Sequence, residues 1–145
     1  MDRKTFIKTC GFACLGSSVL TMLEGCVSPE YVAQTILQDR KIVLKKTEFS
    51  YIQKDKHIER KYVLVRNDKF RFPIYVRKQT EQTYSALLME CTHRSCELNP
   101  QGDFLVCPCH GSEFSNEGVV QNPPATRNLS YFKTSTDDEN IYIHL

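Results

Sequence analysis

Two mixed cysteine–histidine motifs, Cys91-Thr-His93 and Cys107-Pro-Cys-His110, lie 13 residues apart and constrain this chain more than any other feature. Each motif offers one thiolate and one imidazole from a short hairpin-like loop, a donor set for one metal centre if the two loops meet. Thiolate sulfur and imidazole nitrogen suit zinc or an iron–sulfur cluster by ligand softness. Structural zinc sites commonly pair Cys with Cys and His with His, whereas each loop here supplies a mixed pair. Zinc in a structural interaction domain without a redox role therefore stands as the alternative. Cys96 and Cys109 sit beside the candidate ligands, placed to bridge the loops if these meet around a metal.

The chain has seven cysteines, and the remaining three, Cys10, Cys14 and Cys26, fall in the first 26 residues. Residues 1–25 read as an export signal rather than as fold. Arg3, Lys4 and Lys8 form a basic start, and an apolar, small-residue stretch runs to Leu23. That stretch is short of the roughly 20 residues a membrane span needs. Asp2-Arg-Lys-Thr-Phe-Ile-Lys8 resembles a twin-arginine export signal, and Leu23-Glu-Gly-Cys26 resembles a bacterial lipobox. The expectation is cleavage before Cys26 and lipidation of that residue, with an uncleaved anchor or a buried helix as the other readings. Several acyl chains on one cysteine anchor a protein stably. Export places the domain in an oxidising compartment, where a disulfide persists. Residues 26–39 read as a tether, and 40–145 as the folded domain.

From residue 40 onward the pattern favours strands: Lys41–Lys45, Lys61–Arg66, Phe72–Arg77, Tyr84–Met89, Asp103–Val106 and Asn140–Leu145 are short and rich in β-branched and aromatic residues. Turn signals at Asn67-Asp68, Asn99–Gly102, Asn116–Gly118, Asn122–Pro124 and Thr136–Glu139 separate them. The class is all-β, a small antiparallel sandwich or barrel. The 19 basic and 17 acidic residues nearly balance and form no basic stripe, so no nucleic-acid partner is expected. His57 and His144 belong to no motif and read as surface or strand residues.

Cys91-Thr-His-Arg-Ser-Cys96 and Cys107-Pro-Cys-His-Gly-Ser112 resemble the two cluster loops of Rieske iron–sulfur proteins. The close match covers residues 91–129. The resemblance implies a Rieske-like sandwich or barrel with a cluster-binding loop subdomain and one [2Fe–2S] cluster per chain. It implies that Cys91 and Cys107 bind one iron, that His93 and His110 bind the other, and that Cys96 and Cys109 form the disulfide tying the loops together. Asn122–Leu129 resembles the proline-containing segment that covers the cluster on a third side. Ser112 is placed to donate a hydroxyl hydrogen bond to a cluster sulfide. Phe114 stands where high-potential relatives often have Tyr, and Arg94-Ser95 where quinol-oxidising relatives commonly have Leu-Gly.

The implied ligand set also sets the electrochemistry. Two ferric ions, two sulfides, two thiolates and two neutral imidazoles sum to zero charge, so an added electron is accepted more readily than by a four-cysteine cluster. The expected potential lies between about −150 and +300 mV. Phe114, lacking the tyrosine hydroxyl, places it below that of Tyr-bearing relatives, and Arg94 makes the cluster tip polar and positive. The implied function is electron transfer on the outer side of a bacterial membrane, as a subunit of an oxidoreductase complex or a lipid-tethered carrier, not a catalyst on its own. The implied partners are redox proteins: a cytochrome b-like or cytochrome c-like protein, or a molybdenum-enzyme subunit. The expected location is the cell envelope, facing the periplasm, with a lipid anchor in the membrane.

Overall fold

The structure is a computed structural model and describes residues 32–145. The expected export signal, Cys26 and the start of the tether lie outside the described residues. In chain order, β1 (Thr35–Gln38) and β2 (Lys41–Lys45) form a hairpin, and a single 3-10 turn (Lys46–Phe49) leads to a second hairpin of β3 (Ser50–Gln53) and β4 (Lys56–Glu59). A meander follows, β5 (Tyr62–Val65), β6 (Ile74–Lys78) and β7 (Tyr84–Leu88). A second meander of short strands comes next: β8 (Asn99–Gln101), β9 (Phe104–Val106), β10 (Glu113–Ser115) and β11 (Val120–Asn122). The chain returns through β12 (Tyr131–Phe132), β13 (Thr134–Thr136) and β14 (Asn140–His144).

These strands build three four-stranded antiparallel sheets, ordered β1-β2-β14-β13, β12-β7-β6-β5 and β11-β10-β9-β8. Because β12 pairs with β7, the β8–β11 meander is an insertion into the sheet that its two ends close. The expected all-β antiparallel architecture with a loop subdomain is what the chain adopts. No helix among the described residues is long and apolar enough to cross a membrane.

The middle sheet is buried on both faces, and the period-2 alternation of its strands sorts side chains into two cores. Val63, Val65, Ile74, Val76, Tyr84 and Ala86 face Ile42, Leu44, Ile141 and Ile143 of the first sheet. Leu64, Tyr75, Leu87 and Met89 face the inserted meander, where they meet Leu98, Leu105, Phe114, Cys91 and Cys107. Burial on both sides explains why Tyr62-Val-Leu-Val65 reads as a continuous apolar run rather than an alternating one. Strand β2 of the first sheet alternates: Ile42 and Leu44 are buried, Lys41 and Lys45 exposed.

A buried hydrogen bond crosses from the middle sheet to the insertion: the Tyr75 hydroxyl donates to Asn116 Oδ1 at 3.0 Å. Burial pushes the Tyr75 phenol up to about 12, the neutral form being the one the interior tolerates.

The folded body starts before residue 40. Val32 bridges to Leu64, Ala33 is buried and donates its N–H to the Leu64 carbonyl at 2.8 Å, and Thr35–Gln38 pairs along its whole length with β2. The last part of the segment expected as a tether is therefore an edge strand. Both Ile36 and Leu37 in this strand are exposed, so no buried–exposed alternation marks it in the sequence, and the pairing with β2 supplies the order.

Candidate metal centre

Each cysteine–histidine motif occupies the tip of a hairpin. The first joins β7 to β8, where an isolated bridge pairs Glu90 with Glu97; the second joins β9 to β10, where Val106 pairs with Glu113. Inside these hairpins the backbones repeat one pattern. Cys91 N–H donates to the Cys96 carbonyl, and Ser95 N–H donates back to the Cys91 carbonyl. Cys107 N–H donates to the Ser112 carbonyl, and Gly111 N–H donates back to the Cys107 carbonyl. The residue closing each turn has positive φ, 52° at Ser95 and 77° at Gly111. The two loops are thus the same backbone cradle used twice, with the histidine two positions after the cysteine in one and three in the other.

The loops face each other. Cys96 and Cys109 form a disulfide, the one expected. Cys91 and Cys107 are free thiols, both buried. The His93 and His110 rings lie edge to face with centroids 5.0 Å apart; His93 is half-buried and His110 exposed. The structure thus gathers all four expected ligand residues at one end of the insertion. Cys96, Cys107 and Cys109 also place their sulfurs within 4.8 Å of one another, but two of these are tied up in the disulfide, which leaves only Cys107 to bind.

The donor set fits a [2Fe–2S] cluster of this kind. His93 Nδ1 is buried and has no hydrogen-bond partner. A buried polar atom left that way costs on the order of 1–3 kcal/mol, and a metal bound at that ring nitrogen would satisfy it. Burial pushes the Cys107 thiol up, a hydrogen bond with Cys91 adds to the shift, and the backbone N–H groups of Cys109 and His110 work against it. Those N–H groups are ready to stabilise a thiolate.

Surrounding residues fix the loops. Ser112 is fully buried, and its hydroxyl accepts from Ala125 N–H at 3.0 Å, which leaves the hydroxyl hydrogen to donate. That bond ties the second loop to the proline segment, which contains a cis Pro123–Pro124 peptide. Thr92 Oγ1 donates to the Arg127 carbonyl at 2.6 Å and ties the first loop to the same segment. Phe114 is fully buried in the core beneath the loops. Gly118, at φ 83°, lies so close to Leu87 that a Cβ there would come within 2.9 Å of a Leu87 methyl.

Sequence reasoning missed the Thr92–Arg127 and Tyr75–Asn116 contacts, whose partners lie 35 and 41 residues apart with no local pattern to join them. His57 is exposed on β4, and His144 on β14 meets Ser135 Oγ at 2.8 Å; both lie on strands.

Residues 41–133 match the family model for the Rieske [2Fe-2S] domain. The cytochrome b6-f complex iron-sulfur subunit 2 of Nostoc sp. (strain PCC 7120) is 32% identical over 75 residues, 49% of this chain and 42% of that protein. The cytochrome b6-f complex iron-sulfur subunit of Trichodesmium erythraeum is 34% identical over 73 residues, 48% of this chain and 41% of that protein. The chain thus spans less than half the length of these relatives. The crystal structure of the cyanobacterial plasma membrane Rieske protein PetC3 from Synechocystis PCC 6803 superposes with a TM-score of 0.51 at 31% identity, covering 59% of this chain and 87% of that one. Two matched cradles, a disulfide between them and a family match across most of the folded body lead to one assignment: the chain belongs to the Rieske [2Fe-2S] domain family, whose domain binds a [2Fe–2S] cluster.

Proposed function

We propose that this chain transfers single electrons through a [2Fe–2S] cluster in which Cys91 and Cys107 hold one iron and His93 and His110 the other. The observation that carries the reading is the convergence of two buried free thiols with a buried, unpartnered His93 Nδ1 and the facing His110 ring. When bound, the cluster supplies one reversible one-electron site. The residues do the rest. Cys91 and Cys107 bring negative charge into the interior, next to the apolar layer of Leu98, Leu105 and Phe114. His110 brings an imidazole edge to the surface, where electrons enter and leave. The Cys96–Cys109 disulfide and the Thr92 and Ser112 hydrogen bonds hold the loops in one geometry, so little rearrangement accompanies a change of charge.

The electron partner is a redox protein, cytochrome-like or a molybdenum-enzyme subunit, and the chain serves as a subunit of an oxidoreductase complex or as a tethered carrier. Support comes from the relatives named as cytochrome b6-f iron-sulfur subunits. The location is the outer, periplasm-facing side of a bacterial membrane, with Cys26 as the lipid attachment point; the support there is the leader sequence alone.

Metal and sulfide analysis of the purified full chain tests the cluster assignment. The expected result is two irons and two acid-labile sulfides per chain, lost when His93 or Cys107 is replaced by Ala. Stoichiometric zinc without labile sulfide would replace this reading with a structural zinc domain. Mass spectrometry of the membrane-extracted protein tests the anchor: a mature N-terminus at Cys26 carrying acyl chains is expected, and an intact leader overturns it.

A further inference from the structure

Three segments are tied together at the histidine loops: Cys91–Cys96 and Cys107–Ser112 by the Cys96–Cys109 disulfide, and Asn122–Leu129 to both by the Thr92 and Ser112 hydrogen bonds. They contain two arginines, Arg94 and Arg127, and no aspartate or glutamate, in a chain with 17 acidic residues. Both arginines are exposed, and neither pairs with a carboxylate among the described residues. The Arg127 backbone is fixed to the first loop by the Thr92 bond, so the two arginines belong to one rigid rim. Acidic residues beside the rim do not cancel this charge. Glu97, following the first loop, is paired with Arg66 at 3.3 Å, and Glu90 and Glu113, at the bases of the two hairpins, are half-buried. The exposed end of the site is therefore cationic although the chain as a whole is nearly neutral.

We infer that this rim is a docking surface for an acidic redox protein, one that presents carboxylates around the exposed edge of its own one-electron centre. The inference rests on the electron-transfer reading above and names the partner's surface chemistry. Opposite charges bring two redox proteins together in the orientation that shortens the electron's path, and such steering raises association rates by tenfold or more at low salt. One electron passes from the reduced cluster to the oxidised centre of the partner, and no bond forms or breaks. An apolar rim would instead favour insertion into a greasy pocket; Arg94 stands at its tip, where insertion would strand a charge out of water.

The test uses the cluster-loaded full chain in neutral detergent, with small redox complexes as charge probes. Stopped-flow oxidation of the reduced protein is followed with hexacyanoferrate(III), a trianion, and with tris(phenanthroline)cobalt(III), a trication. Each accepts one electron. Raising ionic strength from about 0.01 to 0.1 M shortens the screening length from about 30 to 10 Å. The expected result is that salt slows the anion and speeds the cation. Arg94→Gln/Arg127→Gln should lower the anion's rate about tenfold at low salt and raise the cation's, while Arg94→Lys/Arg127→Lys keeps the original order. A readout independent of electron transfer is line broadening of amide resonances by the redox-inert, paramagnetic hexacyanochromate(III). Broadening should centre on residues flanking Arg94 and Arg127 and vanish in the double Gln variant.

Equal salt slopes for both oxidants, or broadening centred elsewhere, would overturn the docking surface even with the cluster in place. Absence of iron and sulfide would instead overturn the electron-transfer reading, and the broadening experiment still reports on the rim in that case. Arginine-dependent pelleting with phosphatidylglycerol vesicles would assign the rim to a lipid surface and overturn the protein partner.

Discussion

At the scale of single residues, the groups around the two cysteine–histidine loops set how the site behaves. Phe114 is fully buried in the core that also holds Cys91 and Cys107. A ring there fills space and offers no hydrogen. Phe114→Tyr adds one hydroxyl at the position where high-potential relatives carry it, and a hydrogen bond to a charged sulfur is worth about 1.5 kcal/mol. For a one-electron couple that corresponds to a rise in potential of about 60 mV. Protein-film voltammetry of the two proteins measures it; a shift of under about 10 mV would mean that position 114 does not reach a ligand sulfur in this protein. The two cysteine–histidine loops were legible from spacing, because Cys-x-His and Cys-x2-His are local patterns and each loop is a local structure. The Thr92 bond to Arg127 and the Ser112 bond to Ala125 were not legible as contacts. They join loops through the third dimension, and nothing near Thr92 in the sequence marks residue 127 as its neighbour.

At the scale of elements, legibility followed burial. Strands β2, β5, β6, β7 and β14 contribute to the cores and announced themselves by apolar content. Strands β1, β3 and β4 did not, and the reason is in the turns that join β1 to β2 and β3 to β4. Each has a two-residue loop with both residues at positive φ: Asp39 and Arg40 in the first, Lys54 and Asp55 in the second. Such turns usually carry Asn-Gly or Asp-Gly, and without glycine the sequence gives no signal. Asn99-Pro-Gln101 failed in the opposite sense: it looks like a turn but pairs with β9 as a strand, and the turn is Gly102-Asp103. The missing glycine has a measurable consequence. A side chain in the left-handed region costs about 1–2 kcal/mol, and replacing it with glycine recovers that less about 0.5–1 kcal/mol for glycine's greater freedom when unfolded. Arg40→Gly should therefore raise stability by about 0.5–1 kcal/mol, read as a higher urea midpoint at unchanged slope. The β13–β14 hairpin is held differently, by Asp137. Its carboxylate accepts from the Tyr142 hydroxyl at 2.5 Å and from the backbone N–H groups of Asn140 and Glu139. The Tyr142 hydrogen bond first, and those N–H groups next, lower the Asp137 carboxyl to about 2. A lowered folded value means the stabilisation is full above the unfolded value of about 4 and is lost as pH falls toward 2. Asp137→Asn should lower the urea midpoint at pH 7 and flatten its decline between pH 4 and 2. Parallel acid limbs in the two proteins would show that the carboxylate does not brace the hairpin.

At the scale of the whole molecule, one sheet serves two cores. Alternate residues of β5, β6 and β7 point to the first sheet or to the inserted meander, so neither core exists without the middle layer. The insertion has little of its own. Its strands are three residues long, and its apolar residues, Leu98, Leu105 and Phe114, share one core with Leu64, Tyr75, Leu87 and Met89 of the middle layer. The Tyr75–Asn116 bond and the close seat of Gly118 on Leu87 tie the layers at two further points. A meander that borrows its core should not melt ahead of its host. Loss of the cluster's visible absorbance and loss of far-UV β signal are therefore expected to coincide in a urea titration as a single transition. Leu87 tests this because it is buried and faces the insertion from the middle sheet, while Val76 is buried and faces the other way. Leu87→Ala removes a core side chain at a cost of about 2–5 kcal/mol. If the layers unfold together, it moves both signals to lower urea by the same amount, and Val76→Ala does likewise despite lying on the far face. If the insertion were an independent unit, Leu87→Ala would shift the absorbance first and Val76→Ala would leave it where it was. Coincidence in both variants would show that the cluster end is kept rigid by the whole three-layer body, whose middle sheet carries strain from either face to the loops.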